Sequence, residues 1–220
     1  MIRVLLADDE AMIRAGVRAI LATDSGIEVV AEASDGREAV ELARSQRPDV
    51  ALLDIRMPQL DGLSAVPEIR RAVPDTAVLM LTTFGEDEYI ARALGDGAAG
   101  FLLKAGDPRE LIAGVRAAAD GGAYLSPPVA RRVITELNRG RLSRGAEARA
   151  RVDALTGRER EVLALVGTGL SNAQIARRLH LVEGTVKAYV SAVFTRLGVR
   201  NRVQAAILAY EAGLVGEDGP

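Results

Sequence analysis

The sequence predicts a doubly wound α/β domain with a parallel sheet, followed by a smaller domain built only of helices. In residues 1–120, short apolar runs alternate with helical patterns, which is typical of repeated strand and helix units. From Leu155 onward the apolar periodicity is helical throughout. The charge also differs between the halves: residues 1–120 hold 13 Lys and Arg against 21 Asp and Glu, whereas residues 121–220 hold 15 against 9. We therefore expect an acidic domain and a basic domain.

Composition excludes several function classes. Without cysteine the chain can form neither disulfides nor thiolate sites, which agrees with a reducing compartment. No apolar run approaches the roughly 18 residues that a membrane-spanning helix needs. The first residues lead into a strand rather than a signal peptide. We therefore expect a cytoplasmic protein with no membrane partner.

Five apolar runs are predicted as strands, at Ile2–Ala7, Ile27–Ala33, Val50–Asp54, Ala77–Thr82 and Gly100–Lys104. The patterns between them predict helices at Ala11–Thr23, Gly36–Gln46, Gly62–Ala72, Glu86–Gly95 and Pro108–Gly121. The first, third and fourth runs are apolar almost throughout and suit the centre of the sheet, whereas Glu28 and Glu32 suit an edge position for the second. Pro67 falls within the third helix, so we expect this helix to begin near Pro67 or to kink there.

Polar residues stand at the carboxyl ends of four of these strands. Parallel strands joined by right-handed crossovers have their carboxyl ends along one rim of the sheet, where such folds bind ligands. Taken singly, each residue has an ordinary explanation as a helix cap or a surface residue. Together they predict a site on the rim, made by Asp8, Asp9, Asp54, Thr82 and Lys104.

The residue types on this rim suit phosphoryl transfer. Three carboxylates held close together repel one another, and Mg²⁺ is a hard cation that such a group can bind. With the charge compensated, Asp54 could attack an anionic phosphoryl group while Lys104 and the Thr82 hydroxyl contact its oxygens. The product would be an aspartyl phosphate.

Residues 1–121 resemble the receiver domain of two-component response regulators in Asp8-Asp9, Asp54-Ile55-Arg56-Met57-Pro58, Thr82 and Gly100-Phe101-Leu102-Leu103-Lys104. The resemblance implies a flavodoxin-like fold with strand order 2-1-3-4-5. It implies that Asp54 is the phosphoacceptor, assisted by Thr82 and Lys104. It further implies that Asp9, Asp54 and the backbone carbonyl of Arg56 bind Mg²⁺, with Asp8 acting through water. Phe101 takes the switch position, which turns inward as Thr82 moves onto the phosphoryl group; a plain core role for Phe101 is the alternative.

Residues 122–152 are predicted to link the two domains. Val129–Leu137 is expected to form a short helix, with Pro128 near its start. Asn138 to Arg151 is rich in Arg, Gly, Ala and Ser and has almost no apolar periodicity, so we expect a flexible tether. Its arginines could contact phosphates, although solvated disorder explains the composition more simply.

Four helices are predicted in residues 153–216, at about 157–166, 172–179, 183–197 and 202–212. Three of the helix starts combine a capping residue with Glu or Gln three positions later: Thr156 with Glu159, Ser171 with Gln174, and Asn201 with Gln204. Only His180-Leu181-Val182 separates the second helix from the third. This tight connection is typical of a helix-turn-helix.

The third and fourth of these helices each allow two interpretations. The third has an apolar face formed by Val186, Val190, Val193, Phe194 and Leu197, which leaves an outer face of Lys187, Ala188, Ser191 and Thr195. This outer face either fits the major groove of DNA or is the solvated side of an amphipathic helix. The last helix has an apolar stripe that packs on its own domain, pairs two copies of the chain, or does both: Val203, Ile207, Tyr210 and Leu214.

The second half is similar to the LuxR-type helix-turn-helix in Leu155–Leu163, Gly169–Asn172, Ile175-Ala176, Gly184–Lys187 and Leu197–Val199. The order of the two domains is that of NarL/FixJ-type response regulators. The resemblance implies DNA contacts by Thr185, Lys187, Ala188, Ser191, Arg196, Arg200 and Arg202, and pairing of two domains through Val203, Ile207 and Tyr210. Val182 stands where the family usually has a capping Ser, whose loss typically costs about 0.5–2 kcal/mol. Ala188-Tyr189 also departs from the family pattern, so operator preference is expected to differ.

We therefore predict a transcription regulator. A sensor histidine kinase would donate a phosphoryl group to Asp54, and the phosphorylated homodimer would bind a double-stranded DNA operator. The chain is not expected to be an enzyme, beyond promoting its own phosphorylation and dephosphorylation. A phosphatase with an aspartyl nucleophile would need a second acid two residues later, where Arg56 stands. The alternative is a regulator that binds DNA independently of phosphorylation and whose receiver serves only for dimerisation.

Overall fold

A parallel sheet forms the centre of the first part of the chain, and its middle strands are apolar almost throughout. The computed structural model describes residues 1–83, 87–139 and 141–215. It divides into two units, Met1–Ala119 with Tyr124–Ala130 and Asp120–Ala123 with Arg131–Pro220. The strands of the first unit are β1 (Ile2–Ala7), β2 (Ile27–Ala33), β3 (Val50–Asp54), β4 (Ala77–Thr82), β5 (Gly100–Leu103) and β6 (Tyr124–Leu125). Neighbouring strands are parallel, in the order β2-β1-β3-β4-β5-β6.

The order of the first five strands confirms the predicted fold class, including the edge position of β2. The segments Val4–Ala7 and Val50–Leu53 are completely buried at every residue, as expected for strands that are covered on both faces. The sixth strand was not predicted. It pairs with β5 because Gly100 allows the backbones to approach: a Cβ atom at Gly100 would lie 2.0 Å from the carbonyl oxygen of Tyr124.

Five helices connect the strands of the first unit: α1 (Ala11–Leu21), α2 (Gly36–Gln46), α3 (Gly62–Ala72), α4 (Asp87–Asp96) and α5 (Pro108–Ala119). The predicted start of the fourth helix at Glu86 lies outside the described residues. The prediction that the third helix begins near Pro67 is wrong. The Asp61 side chain accepts the Ser64 N–H at 2.7 Å, and this cap starts α3 at Gly62 with Pro67 in its interior.

The predicted tether is helical wherever the structure describes it. After α6 (Pro127–Arg139), which contains the predicted linker helix, α7 (Arg141–Asp153) follows. Ala148 and Val152 lie one turn apart on α7 and are buried in the core of the second unit. The prediction of a flexible segment is therefore wrong, because two apolar residues on one face are enough to attach an otherwise polar helix.

The remaining helices of the second unit are α8 (Gly157–Gly167), α9 (Asn172–Leu179), α10 (Glu183–Leu197) and α11 (Arg202–Glu211), close to the predicted ranges. The capping boxes predicted at Thr156 and Ser171 are complete. At the start of α11, Asn201 caps the Gln204 N–H, but the Gln204 side chain accepts the Arg200 N–H instead of completing the box. Among the described residues, no helix combines the length and apolar content needed to cross a membrane.

Candidate functional site

The polar residues predicted at the rim lie together at the carboxyl ends of four strands. Lys104 directly follows β5, and its Nζ atom lies 2.7 Å from Asp8 Oδ2 and 3.0 Å from Asp54 Oδ1. The Lys104 N–H donates to the carbonyl of Thr82, the last residue of β4, at 2.8 Å. Asp8 is fully buried, and Asp54 and Thr82 are exposed by only 6% and 5%. The rim therefore brings two carboxylates and one ammonium group into contact where water has little access.

Burial and charge oppose each other at this site. Burial raises the pKa of Asp54 because it disfavours the carboxylate, and the hydrogen bond from Lys104 opposes this rise without cancelling it. Burial lowers the pKa of Lys104, but its hydrogen bonds to Asp8 and Asp54 outweigh that effect, so the pKa is raised overall. The Lys104 ammonium group therefore stays charged, whereas ionisation of Asp54 in the folded protein costs free energy.

The start of α3 holds the chain directly after Asp54. The Gly62 N–H donates to the Ile55 carbonyl at 2.9 Å. A Cβ atom at Gly62 would lie 1.8 Å from the Asp54 carbonyl oxygen, so only glycine permits this approach. The cap at Asp61 and the close contact at Gly62 thus fix the backbone that carries Asp54, the predicted phosphoacceptor.

A cleft opens over the rim. It is lined by Asp9, Glu10, Asp54, Ile55, Arg56, Thr82, Thr83, Tyr89 and Lys104. The Arg56 guanidinium lies over the Tyr89 ring, 6.0 Å from its centroid, so Arg56 adds a side chain to the cleft as well as the predicted backbone carbonyl. Glu10 and Tyr89 were not predicted from the sequence. Glu10 continues the acidic run after β1 and could have been found, whereas Tyr89 comes from α4 and carries no local signal.

The acidic residues after β1 fit a hard divalent cation. Asp8, Asp9 and Glu10 each offer one carboxylate oxygen, and these oxygens all lie within 4.8 Å of one another. Asp9 and Glu10 are exposed, while Asp8 is buried beside Lys104. Oxygen ligands of this kind, with room for water, are those that Mg²⁺ prefers. Asp54 and Arg56, the other predicted ligands, line the same cleft as Asp9 and Glu10.

Phe101, the predicted switch residue, is fully buried in β5. It pairs with Met80 of β4 and Leu125 of β6, and its carbonyl accepts the Ser126 N–H at 3.0 Å. The side chain therefore already has the inward position that the resemblance implies for the phosphorylated receiver. A plain core role describes the same geometry.

A second candidate site is formed by α9, the turn and α10. His180 ends α9 in the left-handed conformation with a φ of 54°, and the Leu181 N–H donates to the Ala176 carbonyl at 2.9 Å. On α10, Val186, Val190, Val193 and Leu197 are buried in the core. The outer face is exposed as predicted and consists of Lys187, Ala188, Ser191 and Thr195.

The predicted phosphate-contacting residues have different surroundings. Thr185 is half-buried, and Arg196 and Arg200 are exposed. Arg202 is buried, and its guanidinium donates to Asn172 Oδ1 at 2.9 Å and to the Leu170 carbonyl. Burial lowers the pKa of Arg202 to about 10. An arginine held in this way cannot reach a DNA phosphate, so the structure contradicts this predicted contact: Arg202 fastens the start of α11 to the start of α9.

Helix α10 lacks a side-chain cap, as predicted. Val182 occupies the N-cap position, makes no capping hydrogen bond, and is 73% exposed. By contrast, Ser171 caps α9 by accepting the Gln174 N–H. The first turn of α10 therefore lacks the side-chain acceptor for a backbone N–H group that Ser171 provides in α9.

The predicted pairing stripe on α11 does not form a single surface. Leu214, the last residue of the stripe, packs against the core of the second unit. The other core contacts in this region come from residues outside the stripe: Ala205, Leu208, Ala209 and Ala212. Of the predicted pairing residues, Val203 is buried, Ile207 is half-buried, and Tyr210 is 40% exposed. Ile207 and Tyr210 are thus the two that reach the surface.

Both halves of the chain match families of known proteins. Residues 4–116 match the response regulator receiver domain, and residues 153–209 match the luxR family of bacterial regulatory proteins. The chain is 38% identical to the transcriptional regulatory protein LnrK of Bacillus subtilis, over 97% of this chain and 99% of LnrK. It is 37% identical to the response regulator protein VraR of Staphylococcus aureus, over 97% and 99%. The crystal structure of the response regulator ChrA, from a heme-sensing two-component system, is 36% identical over 97% of this chain and 98% of ChrA, with a TM-score of 0.53.

An acidic rim on a receiver fold, followed by a helix-turn-helix, defines the class of DNA-binding response regulators. The chain belongs to this family, and its domain order is that of the NarL/FixJ type. Its function is regulation of transcription within a two-component system. Residues 141–152 of α7 lie outside both matched segments, and only Asp153, the last residue of the helix, falls within the luxR-family match.

Proposed function

We propose that Asp54 accepts a phosphoryl group from the phosphohistidine of a sensor histidine kinase, and that this step controls dimerisation and DNA binding. The observation that supports the proposal is the contact of one ammonium group, Lys104 Nζ, with both Asp8 and Asp54. A cation in this position can pass from Asp54 to an oxygen of the arriving phosphoryl group without leaving the rim.

In the proposed transfer, a carboxylate oxygen of Asp54 attacks phosphorus as the bond from phosphorus to the donor imidazole nitrogen breaks. Lys104 and the Thr82 hydroxyl contact the oxygens of the transferring group. Asp8, Asp9, Asp54 and the Arg56 carbonyl, with Glu10 beside them, would hold Mg²⁺, which supplies the positive charge that lets two anionic groups approach. The receiver thereby promotes its own phosphorylation and dephosphorylation and turns over no separate substrate.

In the second unit, the exposed face of α10 would enter the major groove of an operator. We assign Lys187, Ala188 and Ser191 to base edges or nearby phosphates, and Thr185, Arg196 and Arg200 to the DNA backbone. We assign no DNA contact to Arg202 because it is buried. Because DNA is the proposed partner, we also propose that the protein acts in the cytoplasm.

Dimerisation would place two copies of α10 on paired half-sites. Ile207 and Tyr210 are the proposed contacts, since they reach the surface of α11, whereas the buried Val203 is left out. The phosphorylated homodimer is then the form that binds DNA.

Light scattering with Mg²⁺, with and without beryllofluoride as a phosphoryl mimic, tests the switch. The wild type is expected to change from monomer to dimer when beryllofluoride is added, and Asp54→Ala is expected to stay monomeric. If beryllofluoride changes neither assembly nor DNA affinity in the wild type, Asp54 is not the switch.

The buried position of Phe101 favours one second candidate, a regulator that binds DNA independently of phosphorylation. If the inward ring already gives the active arrangement, the receiver serves only for dimerisation. The same experiment separates the two functions. The second candidate predicts dimers and equal DNA affinity in the wild type without beryllofluoride and in Asp54→Ala.

A further inference from the structure

We propose that α7 carries an additional contact to the DNA backbone, made by Arg151 at the carboxyl end of the recognition helix α10. Neither family match includes Arg151, since the receiver match ends at residue 116 and the luxR-family match begins at residue 153. The inference rests on the proposed DNA binding by α10 and adds a second helix to that interface.

The position of α7 is fixed by its buried stripe. Ala148 and Val152 pack into the core of the second unit. Because successive helical residues are rotated by about 100°, Arg149 and Arg151 flank this stripe on opposite sides. Both arginines are exposed. The two side chains therefore share a helix and solvent access but point to different surroundings.

Arg151 lies on the side of the stripe that meets α10. One of its guanidinium nitrogens donates to the carbonyl of Leu197, the last residue of α10. A guanidinium has five N–H donors, so a single bond to this carbonyl leaves others to contact a further acceptor. The bond also holds the positive charge at the negative end of the α10 dipole. Arg151 is thus oriented before any ligand arrives.

The charge around Arg151 fits a phosphate. Arg196, in the last turn of α10, lies 3.2 Å from the Glu159 carboxylate, which compensates part of its charge. Within the part of the chain that the structure describes, Arg151 has no ion-pair partner. The planar guanidinium fork matches the oxygens of a phosphate, and phosphates flank a helix that lies in the major groove. We therefore assign Arg151 to a backbone phosphate beside the end of α10.

The salt dependence of DNA affinity tests this assignment. The full chain with Mg²⁺ and beryllofluoride is titrated with double-stranded DNA of mixed sequence at several salt concentrations. Each lost phosphate contact reduces the slope of log affinity against log salt by about 0.9. Arg151→Gln is expected to show this reduction, whereas Arg149→Gln, on the opposite flank of the stripe, is expected to keep the wild-type slope. Arg151→Lys retains the charge and is expected to keep the slope too.

A purely structural role of Arg151 would give a different result. Loss of the bond to Leu197 would lower the melting temperature and the DNA affinity of Arg151→Gln but leave the slope unchanged, and that outcome overturns the proposal. If the wild type itself shows no salt-dependent binding, the proposed DNA binding by α10 fails instead.

Chemical protection in the unsubstituted protein provides a readout that does not depend on a variant folding. Phenylglyoxal reacts with exposed arginines, and mass spectrometry locates the modified residues. With DNA bound, Arg151 is expected to be protected while Arg149 still reacts. Equal reactivity of Arg151 with and without bound DNA would refute the contact.

Discussion

Asp54 and Glu159 are carboxyl groups with little exposure, one in each unit, and their surroundings shift their pKa values in opposite directions. At Asp54, burial raises the pKa, and the hydrogen bond from Lys104 does not cancel the rise. At Glu159, hydrogen bonds from the backbone N–H and the hydroxyl of Thr156 lower the pKa. Asp54 lies where a phosphoryl group is proposed to arrive, whereas Glu159 closes the first turn of α8.

This difference separates the proposed phosphoacceptor from a carboxyl group that stabilises the start of a helix. Glu159 receives both Thr156 bonds at 2.9 Å and lies 3.2 Å from Arg196, so protein donors satisfy it. Asp54 shares one ammonium group with Asp8 and accepts one backbone N–H, that of Ile55. A site that must accept a cation and a phosphoryl group has to leave acceptors for them, and the free protein bears the cost in stability.

The largest expected effect separates the two carboxyl groups by chemistry. Asp54→Asn is expected to abolish incorporation of a phosphoryl group from acetyl phosphate, because the nucleophilic oxygen is lost, whereas Glu159→Gln is expected to be phosphorylated like the wild type. A phosphate-affinity gel with Mg²⁺ measures both. Persistent acid-labile phosphate on Asp54→Asn would show that another residue is the acceptor.

The next largest effect tests whether the Thr156 hydroxyl stabilises the start of α8 as an N-cap. Thr156→Ala removes the N-cap hydroxyl and is expected to lower the free energy of unfolding of the second unit by about 1 kcal/mol. Chemical denaturation followed by circular dichroism measures this change. Thr195→Ala, at an exposed position on α10, serves as the control and is expected to change the free energy by less than about 0.5 kcal/mol. Equal effects of the two substitutions would contradict the capping argument.

The pH dependence of stability should have opposite signs at the two carboxyl groups. The folded-state pKa of Asp54 lies above 3.8, so its ionisation destabilises the fold, and this cost disappears as the pH falls through the raised pKa toward 3.8. The folded-state pKa of Glu159 lies below 4.5, so its stabilisation is present above 4.5 and is lost as the pH falls through the lowered pKa.

Substitutions that remove the ionisable group allow the two opposite contributions to stability to be measured. At pH 7, Asp54→Asn is expected to be more stable than the wild type and Glu159→Gln less stable, and both differences should shrink on acidification. Thermal melts between neutral pH and about pH 3.5 follow the two differences across the unperturbed carboxyl range. If both variants were more stable than the wild type, or both less stable, the two carboxyl groups would not contribute to stability with opposite signs.

The smallest expected effect extends the comparison to the helix that is proposed to read DNA. Val182→Ser supplies the missing N-cap acceptor of α10 and is expected to stabilise the second unit by about 0.5 kcal/mol. Because Val182 is 73% exposed, little packing is lost. Denaturant titration against Val182→Ala separates the new hydrogen bond from the removal of the valine. No gain over Val182→Ala would mean that the serine side chain does not cap.

Much of this architecture could be predicted from the sequence because it depends on local signals. The apolar runs predict the strands, and the residues that end them predict which side chains meet at the rim. The helix limits of the second unit follow from the capping residues at Thr156, Ser171 and Asn201. In each case the information lies within a few residues of the feature.

The features that were missed depend on partners distant in sequence. Strand β6 needs the space beside Gly100, and Tyr89 reaches the cleft only because α4 packs near Arg56. Arg202 has the composition of a DNA contact, and its burial is decided by acceptors at Leu170 and Asn172. Tertiary placement, which short-range pattern does not encode, determines the roles of these residues.

The attachment of α7 to the core of the second unit determines where DNA-binding halves can be exchanged between related regulators. The luxR-family match begins at residue 153, which makes that residue an obvious junction for a chimaera. A cut there would remove Ala148 and Val152 and expose the part of the second unit's core that they cover. A hybrid joined before Arg141 would keep the helix with the module it supports, and two hybrids of identical DNA specificity could therefore differ in solubility.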